Sequence, residues 1–250
     1  MKVSVITTSL NSAETIEATI RSVLCQDCED AEYIIVDAGS TDGTCEIIAR
    51  YARRIGKIIS EPDRGVYHGM NKGVRLAKGE IVCFLNSDDT YVKRTALTEI
   101  AQFIDKNGLD AAYGDLLYVD RRTGERITRF WKTGKYRKGA FTFGWAIPHP
   151  AFFCRRDLFE KYGYFNENLK VAADFELMLR FIEKHKIKIR YLPKVLVRMR
   201  TGGKSNRLSG IIQGNKEIIS SFRLNNMGLS PWFFICKPAL KFSQVFSRPT

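Results

Sequence analysis

Residues 81–90, Ile81-Val82-Cys83-Phe84-Leu85-Asn86-Ser87-Asp88-Asp89-Thr90, constrain this chain more than any other stretch. Five apolar residues in a row predict a strand buried on both faces. The strand stops on two adjacent carboxylates. Three similar units precede it. Residues 2–7, 33–36 and 57–60 read as strands, and each is followed by a helical pattern: Ile16/Ile20/Val23/Leu24, then Ile47/Ile48/Tyr51, then Met70/Val74/Ala77. Such alternation predicts an α/β fold with a mostly parallel sheet and crossover helices. In these sheets ligands bind in the crevice at the carboxyl ends of the strands. Asp88 and Asp89 are therefore expected at a site. They would also serve as caps for the next helix, but one Asp is enough for that, and a pair following Asn86 points to a bound positive charge.

The first strand-to-helix turn, Thr7-Thr8-Ser9-Leu10-Asn11, has no glycine, and no GxxxxGK[ST] occurs anywhere. Both common phosphate-cradling loops are therefore excluded. A nucleotide diphosphate bound here needs another neutraliser. A hard cation, Mg²⁺ or Mn²⁺, on Asp88 and Asp89 would supply it. Asn11 and Glu14 are placed to form a capping box for the first helix.

Beyond a helix through Leu97, Ile100 and Ile104 the pattern changes. Residues 111–119 and 126–131 predict a hairpin turning at 120–125, and an aromatic-rich segment runs from 141 to 153. A helix is expected over 171–182, and two short strands over 187–192 and 195–199. Asp174 opens that helix. It fits either a carboxylate favoured by the helix dipole or a general base facing the crevice. His149, between Pro148 and Pro150, fits a packed core histidine or a group at the substrate.

Charge is concentrated in two places. Residues 121–161 hold eleven Lys/Arg against three acids, and residues 201–250 hold seven against one. These basic stretches fit an anionic substrate or membrane surface. No nucleic-acid module accompanies them, so nucleic acid is not expected as a partner. The tail from Ser230 to Phe242 starts with a capping Ser and a Pro, then mixes aromatics with lysines. It fits interfacial docking or packing on the domain. The six cysteines, including an isolated Cys25-Gln26-Asp27-Cys28, read as reduced thiols. Met1 leads straight into a strand, which predicts no signal peptide and a cytoplasmic protein.

Four stretches together resemble the family 2 glycosyltransferases: residues 5–11 (VITTSLN), 34–44 (IIVDAGSTDGT), 60–73 (SEPDRGVYHGMNKG) and 84–89 (FLNSDD). The resemblance implies a GT-A fold, Rossmann-like with flanking helices, over residues 1–205. Its nucleotide-sugar-binding half would be 1–110 and its acceptor half 111–205; residues 206–250 lie beyond the resemblance as C-terminal helices, open to membrane association or to packing on the domain. By position it implies a nucleotide pocket of Thr8, Ser9, Asp37, Asp63, Arg64, Asn71 and Lys72. The family's DxD motif falls on Asn86-Ser87-Asp88, with Asn in place of the first acid, so Asp88 and Asp89 would hold Mn²⁺ or Mg²⁺. The ED motif falls on Ala173-Asp174, which makes Asp174 the base. Gly203 and Ser205 match a loop over the diphosphate, and His149 falls near the acceptor.

The implied reaction is inverting transfer from a nucleoside-diphosphate sugar, UDP being the commonest, to a glycan or lipid-linked acceptor at the inner membrane face. A nucleotidyltransferase and a non-catalytic nucleotide-sugar-binding module are the alternatives. The first would carry a Gly-rich loop that this chain lacks. The second is suggested by Asn86 and Ala173.

Overall fold

The computed structural model of the protein describes residues 2–202 and 208–246. Its first half alternates strand and helix: β1 (Val3–Ser9), α1 (Ile16–Leu24), β2 (Ala31–Asp37), α2 (Thr44–Arg50), β3 (Lys57–Ser60), α3 (Val66–Leu76) and β4 (Ile81–Phe84). β1 pairs in parallel with β2 on one side and β4 on the other, and β3 extends the sheet beyond β2. The chain therefore moves outward from β1 to β3, then returns over α3 to lay β4 on the far side of β1. The reversal opens a crevice between the ends of β1 and β4, where α/β sheets bind ligands.

The period of two along β4 explains its continuous apolar run. Val82 and Phe84 enter the core that also contains α3, while Ile81, Cys83 and Leu85 enter the core that contains α1. Both faces are covered, so every position is buried. Each fully buried aliphatic or aromatic side chain contributes roughly 1.5–3 kcal/mol. α3 lies close on β1 because Gly73 has no side chain; a Cβ there would collide with Ile6.

Beyond β4 come β5 (Thr90–Tyr91), α4 (Ala96–Lys106), β6 (Ala111–Val119), β7 (Ile127–Trp131), β8 (Phe152–Arg155), α5 (Asp157–Tyr162), α6 (Ala173–Leu179) and β9 (Ile189–Arg200). The nine strands form one sheet in the order β3-β2-β1-β4-β8-β6-β9-β5, with β7 paired to β6. The sheet is parallel from β3 to β4 and mixed beyond, since β8 runs antiparallel to both β4 and β6 while β9 runs parallel to β6. The 120–125 turn forms as expected: the Asp120 carboxylate accepts from the N–H of Thr123 and Arg126 and from the Thr123 hydroxyl.

Three local expectations need correction. α1 begins at Ile16, and Asn11 is not its cap. Asn11 instead takes a left-handed φ of 50° and its side-chain oxygen accepts from Thr41 N–H, tying the β1 and β2 loops together. The helix expected over 171–182 is α-helical only to Leu179 and continues as a π-turn over Arg180–Lys184. The two strands expected over 187–199 are one, β9, which passes through Pro193 with a shift of register against β6 near Asp115. An irregular position spares the Pro a ladder hydrogen bond.

α7 (Leu208–Leu224) and α8 (Phe233–Phe246) complete the described chain. Ile218, Phe222 and Phe233 are buried in the same core as α3 and α6. No helix among the described residues is long and apolar enough to cross a membrane.

Candidate active site

A cleft of about 760 Å³ opens at the carboxyl ends of β1, β2 and β4. Thr8 and Ser9 line it from the end of β1, Asp63 from the loop before α3, and Asn86, Ser87 and Asp88 from the turn after β4. The hydroxyls of Ser12 and Ser87 are 2.8 Å apart and close the floor between two of these loops.

Asp88 and Asp89 part company. Asp88 faces the cleft. Burial pushes its carboxyl above the usual range, and Arg121 and Arg200 partly counter this. Asp89 is fully buried and does not line the cleft. Its carboxyl accepts from Asn86 Nδ2 at 2.8 Å and from the Arg200 N–H at 3.3 Å. Burial and the neighbouring Asp88 charge push its pKa well above the carboxylate range. Among the described residues no cluster of three His, Cys, Asp or Glu stands ready for a metal. Mg²⁺-like cations need only one or two carboxylates when phosphate oxygens and water complete the shell. A solvent-facing Asp88 beside oxygen-bearing Asn86 and Ser87 fits such a shared ion.

Asp37 is also fully buried. Its carboxylate accepts from the hydroxyls of Ser9, Ser40 and Ser60 and from the N–H groups of Gly39 and Ser40. Burial alone would raise its pKa, but these donors outweigh it and hold the group below the usual range. In this arrangement Asp37 shapes the turn after β2 and does not line the cleft. Asn71 likewise faces inward, exchanging hydrogen bonds with the backbone of Phe165 and donating to Glu167. Lys72 pairs with Asp63 and Glu61, and the largely exposed Arg64 pairs with Glu167. Gly203 and Ser205 lie outside the described residues.

Asp174 sits in the first turn of α6, half-buried, just behind the cleft-lining Val171. Tyr67 on α3 reaches both: its hydroxyl is 2.9 Å from the Val171 carbonyl oxygen and 3.1 Å from Asp174 Oδ1. His149 is buried, stacked on Phe84 and edge-on to Phe165, with Nε2 unpartnered among the described residues. Burial pushes its pKa down, although the Asp174 charge pulls the other way. A neutral imidazole against aromatic rings is the result.

Several residues at the site were not singled out from the sequence. Arg121, from the β6–β7 turn, and Arg200, at the end of β9, line the cleft. Arg200 donates to the Arg121 carbonyl oxygen, so the two loops are joined. Glu217 on α7 accepts from the N–H groups of Lys170, Val171 and Ala172 at 2.8–2.9 Å, fixing the segment that leads into Asp174. The Arg121-Arg122 doublet in a turn was a usable signal for the first of these. Nothing local marks Glu217.

A mixed sheet with helices on both faces and a crevice at its strand ends matches the GT-A architecture. The family model for glycosyl transferase family 2 matches residues 4–163. A PGL/p-HBAD biosynthesis glycosyltransferase of Mycobacterium bovis is 34% identical over 210 residues, 82% of this chain and 79% of that protein. A cholesterol galactosyltransferase of Borreliella burgdorferi is 41% identical over 91 residues, 36% of this chain and 25% of that one. The fold is shared with S. aureus TarS 1-349 in complex with UDP, at a TM-score of 0.69 and 22% identity, covering 98% of this chain and 71% of that one. It is shared too with the mannosyltransferase PcManGT of Pyrobaculum calidifontis in complex with GDP-Man and Mn²⁺, at 0.67 and 23%, covering 96% and 68%. The chain belongs to glycosyltransferase family 2. It is a glycosyltransferase with a GT-A fold, which removes the nucleotidyltransferase and non-catalytic readings.

Proposed function

We propose that this enzyme transfers a sugar, with inversion, from a nucleoside-diphosphate sugar to a hydroxyl of a glycan or lipid-linked acceptor. One observation carries the reading: Asp88, Arg121 and Arg200 line the same cleft as Val171, whose carbonyl oxygen and the Asp174 carboxylate both meet the Tyr67 hydroxyl. The two guanidiniums suit the diphosphate, with Thr8, Ser9 and Asp63 along the nucleotide. Asp88 would hold Mn²⁺ or Mg²⁺ against the same oxygens. When bound, that ion offsets charge growing on the departing nucleoside diphosphate.

Asp174 is the base in this reading. It takes the proton of the acceptor hydroxyl as that oxygen attacks the anomeric carbon on the face opposite the leaving group. Tyr67 and Glu217 keep it in place. Residues 1–110, joined by Arg121 and Arg200, would serve the donor, and the rest of 111–205 the acceptor. Two solved neighbours are complexes with UDP and with GDP-Man and Mn²⁺, which supports a nucleotide-sugar donor, UDP first among the bases to test. A lipid-linked acceptor at the inner face of an anionic membrane fits the basic stretches and the relatives named for PGL/p-HBAD biosynthesis and for cholesterol.

The test is nucleotide release from UDP-, GDP- and dTDP-sugars with Mn²⁺, followed by determination of the product anomer. Inversion is expected, and Asp174→Asn should lower transfer by about 10²–10⁴-fold. Retention of configuration, or full activity in that variant, would refute the mechanism.

A further inference from the structure

The two basic stretches of the sequence meet in space. β7 and the turn after it face α8 across a groove of about 340 Å³. Arg129, Lys132, Lys237 and Lys241 line it beside Trp131 and Trp145, and no carboxylate is among the lining residues. Like charges gathered in a partly desolvated groove repel one another. Burial, with the Lys241 charge added, brings the Lys237 ammonium down to about 8. Burial and the charge of Arg129 lower Lys241 as well. Among the described residues Lys237 donates to a neutral acceptor, Asn215 Oδ1, at 2.8 Å, and its ammonium lies 5.2 Å from the Phe233 ring centroid. The Arg129 guanidinium is fixed 3.7 Å from the Tyr118 ring centroid, yet its buried Nε has no hydrogen-bond partner among the described residues.

The groove is built, not a gap left by a loose helix. Gly144 has a left-handed φ of 85°, and a Cβ there would stand 2.5 Å from Lys237 Cβ. Helix and turn meet backbone to backbone. The other side of α8 is apolar: Ile235 and Phe242, seven residues apart and so on one face, are 62% and 68% exposed, with Trp232 at 61% just before the helix. No Asp or Glu occurs after Glu217.

We propose that the groove holds the phosphate of an anionic phospholipid headgroup, with α8 lying in the bilayer interface and Trp232, Ile235 and Phe242 on its lipid side. An interfacial helix needs apolar area and cationic attraction together, and aromatic rings favour the headgroup level. This rests on the membrane part of the function proposed above and is independent of Asp88 and Asp174.

Vesicle partitioning of the full chain tests it. Wild type should bind vesicles containing phosphatidylglycerol and bind pure phosphatidylcholine far more weakly. Each cation near an anionic surface accounts for roughly a fivefold change. Arg129→Gln/Lys237→Gln/Lys241→Gln should therefore lose about 100-fold. A charge-matched control, Arg53→Gln/Lys57→Gln/Lys106→Gln, removes three exposed cations from outside the groove and should lose much less. Should the groove triple fail to fold by circular dichroism, Lys241→Gln alone should still show its fivefold loss. Ile235→Ser/Phe242→Ser should abolish binding to both vesicle types. Equal losses in the two triples would overturn the groove while leaving a general membrane attraction. Absence of wild-type partitioning would overturn both. Calorimetric binding of inorganic phosphate to the groove, without preference for phosphatidylglycerol vesicles, would overturn the lipid assignment. None of these outcomes touches sugar transfer in solution.

Discussion

The Tyr67 hydroxyl stands 3.1 Å from Asp174 Oδ1 and joins α3 to the first turn of α6. Burial, and then the Asp174 charge, push the phenol well above its ordinary pKa, so it remains a hydrogen donor wherever the enzyme works. Tyr67→Phe keeps the ring stacked on Phe165 and deletes only the donor. Hydrogen bonds to charged groups are worth about 1.5–3 kcal/mol. The expected result is a 10- to 100-fold fall in kcat with little change in the donor's KM. A change confined to KM would assign Tyr67 to binding.

Asp88 is the carboxylate that the turn after β4 presents to the cleft. Asp88→Asn should raise the Mn²⁺ concentration needed for half-maximal activity by at least tenfold, and chelation of wild type with EDTA should abolish transfer until Mn²⁺ or Mg²⁺ is restored. Asp89→Asn should behave differently, since Asp89 is buried away from the cleft and accepts from Asn86 and Arg200. Its metal dependence should match that of wild type in the same titration.

Glu217 couples α7 to the approach of α6. Its own burial would raise its pKa, but the three backbone donors, with Gln213, hold it below its ordinary value of 4.5. A depressed carboxyl contributes stability that is fully present above 4.5 and lost as pH falls through the folded value. Glu217→Gln should therefore unfold about 1.5–3 kcal/mol more easily at neutral pH. The gap from wild type should narrow as urea titrations are taken below pH 4.5.

Removing the Asp37 carboxylate takes the acceptor from three hydroxyls and two N–H groups, of which the Ser9 hydroxyl is buried and the others are partly buried or exposed. Asp37→Ala should cost about 1–3 kcal/mol, the penalty of one unsatisfied buried donor. Thermal unfolding with and without UDP would separate this from any direct contact with the base, for which the loss would appear only in the UDP-dependent shift.

Gly144→Ala would set a side chain in a left-handed backbone and against Lys237. Backbone strain alone is about 1–2 kcal/mol. A lowered Tm, with α8 more open to proteolysis, is the expected outcome.

How far the sequence speaks depends on the range of the interaction that decides each feature. β1 to β4 are legible because an apolar run between polar turns is a local property, and the crevice follows from their order. The start of α1 is not, because the side chain of Asn11 bonds to the loop after β2, 30 residues away, and this overrides its capping tendency. The unequal fates of Asp88 and Asp89 depend on which way one turn leaves the sheet. Arg200 comes to Asp88 through the pairing of β5 with β9, which no local pattern announces. Asp174 was legible as a helix-start carboxylate, but its supports, Tyr67 and Glu217, come from distant helices.

The bond from Glu217 to Ala172 spans 45 residues of chain. During synthesis, the sheet and most of the cleft can assemble while α7 is still inside the ribosome. Residues 170–172 meanwhile lack the carboxylate that later gathers their N–H groups. The corner that carries Asp174 therefore depends on α7 for its shape. A chain released before α7 would hold the strand-end cleft without that support.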